Sequence, residues 1–180
     1  MKSSKSLIAA IVLATASLGA GVAKAQVIVT PNQALDLVGT SAFFGDAFDV
    51  NLRGNTFSEN FTFSVTGIPA NLDAIVSSIS RTAATGLDIT GLGLFSSTGR
   101  QIALGSSQST GAIDIWTVTS DNLALGSYYL QVSGSLVSNT SGAFGGAMML
   151  APVPEPGAYG MMLAGLGVIG YIGLRRRKQK

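Results

Sequence analysis

The chain has no cysteine and no histidine. Between Gln26 and Pro154 it has no lysine either. Without cysteine no disulfide can staple the fold, so stability must come from a packed core. Serine and threonine abound, but no histidine, cysteine or body lysine is there to act as their base. The usual nucleophilic triads are therefore excluded, and so is an ordinary zinc ligand set. Charge is scarce, at 11% of residues, and unevenly placed. Of the 11 basic residues, Lys2, Lys5, Lys24, Arg175, Arg176, Arg177, Lys178 and Lys180 lie at the two ends. The body keeps only Arg53, Arg81 and Arg100 against eight acids: Asp36, Asp46, Asp49, Glu59, Asp73, Asp88, Asp114 and Asp121, a net of five negative charges. That balance argues against a nucleic-acid partner, which needs a basic surface to displace counterions. A carboxylate pair for glycoside hydrolysis is conceivable with eight acids, but pairing cannot be read from their spacing, and solvated surface acids explain them as well. The body reads as non-enzymatic, with no cofactor.

What is present in the body is short runs of β-formers separated by Gly, Ser and Asn. Gln26–Thr30 is β-branched and stops at Pro31, which predicts a first strand. Asn32–Phe44 has no clear period and is left unassigned. Ala47–Leu52 alternates weakly before a turn at Arg53-Gly54-Asn55. Phe57–Thr66 is the clearest strand: Phe57, Phe61, Phe63 and Val65 share one face with Glu59, and Ser, Asn and Thr fill the other. Glu59 on the aromatic face is an anomaly; a place near the sheet rim, a pairing with Arg81 or Arg100, or an inward charge blunting an edge would each explain it. Ala74–Arg81 reads as strand or, by its Ile75 and Ile79 spacing, as a short helix, with strand preferred; further strands are expected over Leu87–Phe95 (with a bulge at its glycines), Ile102–Leu104, Ala112–Thr119, Tyr128–Ser133 and Ala143–Leu150. Strands at this spacing predict a mainly β domain over 26–150, an antiparallel β-sandwich of jelly-roll-like form. Gly126–Gly134 resembles the G-x-Y-x-L-x-V-x-G strand of secreted jelly-roll modules, which bears on fold more than on function. Trp116 and Tyr128 sit in alternating strands and suit the core, whereas Tyr129 is a candidate for an exposed sugar-stacking ring. Asp46, Asp49 and Asn51 place three oxygen side chains within six residues; they are a weak calcium candidate, and ordinary polar-loop composition explains them equally.

The two ends read as handling segments. Lys2 and Lys5, then an apolar run from Leu7 to Val22, then Ala23-Lys24-Ala25 predict a signal helix over 1–25, cut before Gln26. At the other end, 151–180 reads in three parts: Val153-Pro154-Glu155-Pro156, an apolar run, and Arg175-Arg176-Arg177-Lys178. Ala158–Leu174 carries no charge and predicts a single transmembrane helix of about 26 Å, just under a bilayer's hydrocarbon thickness of about 30 Å. The basic cluster over 175–180 would stop transfer and stay cytoplasmic, leaving Val153 and all before it outside. Pro154 and Pro156 keep the motif extended, as a processing enzyme requires.

Pro154-Glu155-Pro156, the glycine-containing apolar span and the arginine-rich end resemble the PEP-CTERM sorting signal. That resemblance implies recognition by an exosortase, a membrane cysteine transpeptidase of exopolysaccharide-making Gram-negative bacteria. It implies a cut near the motif and delivery of the body to the cell surface or biofilm matrix. Phe57-Ser58-Glu59-Asn60-Phe61, with the YYLQVSG strand, is similar to the FxDxF family of PEP-CTERM proteins, with Glu59 where that family has Asp. The expected protein is exported, with signal peptidase and exosortase as processing partners and a structural or adhesive body. The alternative is a carbohydrate-binding module for exopolysaccharide.

Overall fold

A computed structural model describes residues 25–153 and 156–177. Within them the chain forms β1 (Val27–Val29), β2 (Gln33–Ala34), β3 (Ser41–Phe48), β4 (Thr56–Val65), β5 (Ala70–Ile79) and β6 (Leu87–Ser96). There follow β7 (Gln101–Leu104), β8 (Ser106–Ser109), β9 (Ile113–Leu123), β10 (Gly126–Leu136), β11 (Gly142–Pro152) and helix α1 (Pro156–Arg177). The first sheet has the order β1-β4-β10-β6-β7, with β2 also on β4; the second has the order β3-β11-β5-β9-β8. Long strands alternate between the sheets, so β3 to β4, β4 to β5, β5 to β6, β9 to β10 and β10 to β11 each cross the sandwich.

Period-2 alternation makes the sandwich. Phe57, Phe61, Phe63 and Val65 of β4 are buried, as are Tyr128, Leu130 and Val132 of β10 beside them. Leu130 stands opposite Phe61, and Val132 opposite Glu59. From the other sheet come Phe44, Phe48 and Phe144. Phe48 meets Phe57 at 4.6 Å, Phe44 meets Phe61 at 4.9 Å, and Phe144 stacks on Phe57 at 5.5 Å between ring centroids. Offset aromatic contacts of this kind add about 0.5–1.5 kcal/mol each beyond burial. Two glycines let the backbones come this close: a Cβ on Gly134 would overlap the Asp88 carbonyl and the Phe57 ring, and one on Gly146 would meet the Ile75 carbonyl and the Phe44 ring. The bulge expected near the β6 glycines is present, where Ser133 faces Gly91 but Gly134 faces Ile89.

Four features depart from the sequence reading. The sheets are not wholly antiparallel, because β1 and β2 pair parallel with β4. The weakly alternating stretch Ala47–Leu52 is mostly turn; the strand there is Ser41–Phe48. Its period is hidden because Phe43 points outward, 85% exposed, beside the buried Phe44. Strand β8 (SSQS) has no apolar residue and forms by backbone pairing to β9 at the sheet edge.

The fourth departure is the expected transmembrane span over 158–174. Helix α1 is longer, 22 residues, with apolar side chains on all sides. Every residue of it whose burial is described is exposed. Among the described residues, however, no helix is long and apolar enough to cross a membrane. Glycines at 157, 160, 165, 167, 170 and 173 interrupt the large side chains and dilute the apolar run. Pro156 opens the helix as its first residue, where a missing N–H costs nothing. The predicted signal helix, residues 1–24, lies outside the described residues.

Candidate functional site

The C-terminal candidate begins where the sandwich ends. Strand β11 runs to Pro152, and the Val153 N–H donates to the Pro69 carbonyl at 2.9 Å. That bond ties the first residue of the motif to the loop between β4 and β5. Pro154 and Glu155 lie outside the described residues, and α1 starts at Pro156. Arg175, Arg176 and Arg177 form the last turn of the helix, with Arg175 exposed; Lys178 lies outside the described residues. At the other end, Ala23 lies outside as well. Ala25 and Gln26 are exposed and irregular just before β1. The Gln26 N–H donates to Asn55 Oδ1 at 3.1 Å, and its carbonyl accepts from the Thr56 N–H at 3.0 Å. Among the described residues, sandwich hydrogen bonding therefore begins at Gln26.

Phe57, Glu59 and Phe61 are brought together in the core rather than presented outside. Glu59 is 0% exposed, and neither carboxylate oxygen has a hydrogen-bond partner. Strand β4 has β10 on one side and the short β1 and β2 on the other, with Glu59 between the stretches those two pair, and its side chain faces the core. Arg81 and Arg100 are exposed, outside the core that encloses it. Burial first, and the charge of Asp46 second, push the Glu59 carboxyl from 4.5 up to about 7. Asp46 comes from the facing strand β3, between the buried Phe44 and Phe48. The F-x-D-x-F spacing itself therefore stands at Phe44, Asp46 and Phe48, opposite the F-x-E-x-F of β4. A literal search of the sequence for the pattern finds it, although the surrounding strand does not alternate cleanly.

Asp46 lies within β3, and Asp49 and Asn51 follow its end. Asp46 lies among core positions, with Oδ1 accepting from the Ala47 N–H at 2.7 Å. Asp49 is exposed and accepts from the Val50 N–H at 2.9 Å. Asn51 turns the chain with φ 67°. Among the described residues no group of three or more His, Cys, Asp or Glu is placed to hold a metal ion.

Sequence reasoning missed a second acid site. Asp114 on β9 is 1% exposed. Its Oδ2 accepts from Ser78 Oγ at 3.0 Å and the Ile89 N–H at 3.1 Å, and its Oδ1 from the Gly111 N–H at 3.0 Å. This one carboxylate links both sheets and the β8–β9 turn. Asp88 nearby has a buried, unpartnered Oδ1, and burial first and Asp114 second raise its carboxyl above the usual range. The sequence signal was Asp114 on the same strand face as Trp116 and Val118. Trp116 is half-buried, with Nε1–H donating to the Ile89 carbonyl at 3.0 Å across the sandwich.

The outer face of the first sheet carries a neutral aromatic and amide surface. Tyr129 stacks on Phe95 with centroids 5.2 Å apart and planes 10° from parallel. On neighbouring positions, Gln131 Nε2 donates to Asn60 Oδ1 at 3.1 Å, and Asn60 Nδ2 to Asn32 Oδ1 at 3.2 Å. Tyr128, on the other face, is core, with its hydroxyl donating to the Ala124 carbonyl at 2.9 Å.

Compared with known proteins, residues 152–178 match the PEP-CTERM protein-sorting motif. The match covers the tail from the end of β11 through α1. No curated protein matches the chain. Among solved structures the chain is similar to the pre-peptidase C-terminal domain of a collagenase from Bacillus anthracis. Identity is 19%, coverage is 66% of this chain and 97% of that domain, and the TM-score is 0.39.

Proposed function

We propose that the chain is an exported protein anchored by its C-terminal helix until an exosortase cuts near Pro154-Glu155-Pro156. The β-sandwich then serves a non-catalytic structural or adhesive role at the cell surface or in an exopolysaccharide matrix, as a member of the FxDxF group of sorted proteins. The observation that carries this reading is the sorting-motif match over 152–178, set directly after the last strand. Signal peptidase removes 1–25 in the same scheme. The uncharged stretch of α1 falls a little short of a bilayer; local thinning and snorkelling arginines offset a mismatch of that size. Expression in cells with and without exosortase, with an epitope before Gly142 and another after Lys180, tests it. The expected result is loss of the distal epitope and release from the inner membrane only when exosortase is present, and no processing of a Pro154→Ala/Glu155→Ala/Pro156→Ala variant. A tail that stays attached with location unchanged leaves a simple anchored protein.

A second reading is a carbohydrate-binding module for exopolysaccharide. The Tyr129–Phe95 stack beside the Gln131–Asn60–Asn32 row favours it, since sugars are bound by ring faces together with neutral hydrogen-bonding groups. Binding to purified exopolysaccharide should fall about two- to tenfold in Tyr129→Ala, a loss on the scale of one ring contact. Absence of binding by the wild type at millimolar saccharide removes this reading.

A further inference from the structure

We infer that the end of the sandwich from which the tail leaves rests on a lipid surface before processing, with Val38, Ile68 and Leu125 entering the headgroup boundary. The inference depends on the anchoring proposed above and adds where the domain sits. Its geometric basis is a short tether. Val153 is held to the Pro69 carbonyl, and α1 begins at Pro156. Three extended residues reach about 10 Å. A helix held in the membrane therefore keeps this end of the domain at the headgroups, whatever the domain's own affinity for lipid.

The loops at that end are unusual for exposed turns. Val38 precedes β3, Ile68 lies between β4 and β5, and Leu125 lies between β9 and β10. They are 84%, 39% and 54% exposed. Exposed turns are ordinarily Gly, Pro, Asn, Asp and Ser, each for a backbone reason that an aliphatic side chain does not serve. The opposite end carries Asp49, Arg53, Arg81, Asn139 and Thr140 in its loops beside Val50, and its other exposed aliphatics, Ile79 and Ile113, lie on strand ends rather than at loop tips. Apolar surface continues from the exit end onto the outer face of the second sheet, where Phe43 and Met149 flank a shallow groove of about 360 Å³.

Charge at the exit end is mixed, with Asp36 and Asp121 against Arg100, so apolar insertion rather than attraction to anionic lipid would do the holding. Three aliphatic tips bind a bilayer weakly alone. Tethered within about 10 Å they face a high effective lipid concentration and stay engaged, and cutting the tether lets the domain go.

The lack of cysteine allows single fluorophores to be placed without background. The full chain is reconstituted in phosphatidylcholine vesicles containing spin-labelled lipid, with the nitroxide in the headgroup region for the sandwich positions and at mid-acyl chain for the position within α1. Labels are placed at Val38→Cys, Ile68→Cys or Leu125→Cys, at Val50→Cys as the distal reference, and at Val168→Cys within α1. All are exposed positions, so folding is undisturbed. Quenching at the three tips should be at least about twofold that at Val50, as for side chains at the headgroup boundary. Strong quenching at Val168 with tips no more quenched than Val50 overturns this inference and leaves the anchoring intact. An unquenched Val168 overturns the anchoring, and this inference with it.

Discussion

Replacing Glu59 by leucine is expected to stabilise the sandwich by about 2–4 kcal/mol near pH 8, one of the largest gains available from a single side chain in this fold. Glu59 is fully buried with both oxygens unpartnered, and its carboxyl titrates near 7 when folded against 4.5 in the open chain. Folding therefore favours the protonated acid. Its stabilising effect is complete below pH 4.5 and is lost as pH rises through about 7, above which the loss levels off. A shift of this size corresponds to about 3 kcal/mol. Asp88, raised for the same first reason, tilts stability in the same direction. Urea midpoints of the full chain in mild detergent, measured across this range, should fall with rising pH in the wild type and much less in Glu59→Leu. Glu59→Gln should flatten the profile too, while keeping the desolvation penalty of a buried amide. An unchanged pH slope in both variants would sink the assignment.

Removing the Asp114 carboxylate is expected to act as strongly in the opposite direction. Asp114→Ala leaves the Ile89 N–H and the Gly111 N–H without the carboxylate they share, and leaves the Ser78 hydroxyl only its longer bond to the Leu87 carbonyl. Stranded buried donors and a lost charge-assisted network together cost about 3–5 kcal/mol. The damage should be focused, because Asp114 joins β5, β6 and the β8–β9 turn across the two sheets. Hydrogen exchange should quicken first at Ile89 and Gly111. Asp114→Asn keeps one acceptor oxygen and should fall between wild type and alanine. A drop below about 1 kcal/mol for Asp114→Ala would show that water replaces the carboxylate at that junction.

How much of this was legible depended on which residues carry a period. Strands β4 and β10 could be read because Phe57, Phe61 and Phe63, and Tyr128, Leu130 and Val132, alternate cleanly with polar neighbours. Strand β8 could not, because a backbone edge pairing leaves no mark in four polar side chains. The parallel start was equally silent: Val27, Ile28 and Val29 look the same whichever way their partner runs. Glu59 was visible as an anomaly, but its environment was set by β3, whose Phe43 spoils the alternation around Asp46. In the tail, the order of polar motif, apolar segment and arginines was plain from composition. The helix's fitness to cross a bilayer was not, since its length is marginal and its glycines lower the apolar content.

The place of β11 bears on the timing of export. It lies between β3 and β5 in its sheet, yet it is the last strand made, ending at Pro152 just before the sorting segment. Until it arrives, β3 and β5 have no strand between them, and Phe144 and Met148 are missing from the core. The sandwich therefore cannot close until the chain has crossed almost to its tail, and such non-local pairing is slow in any case. In the export scheme proposed above, the chain would stay threadable during secretion and gain its resistance to unfolding only as the sorting segment reaches the membrane. A trim made upstream of β11's end would undo that closure, so the processing proposed above requires a cut beyond Val153.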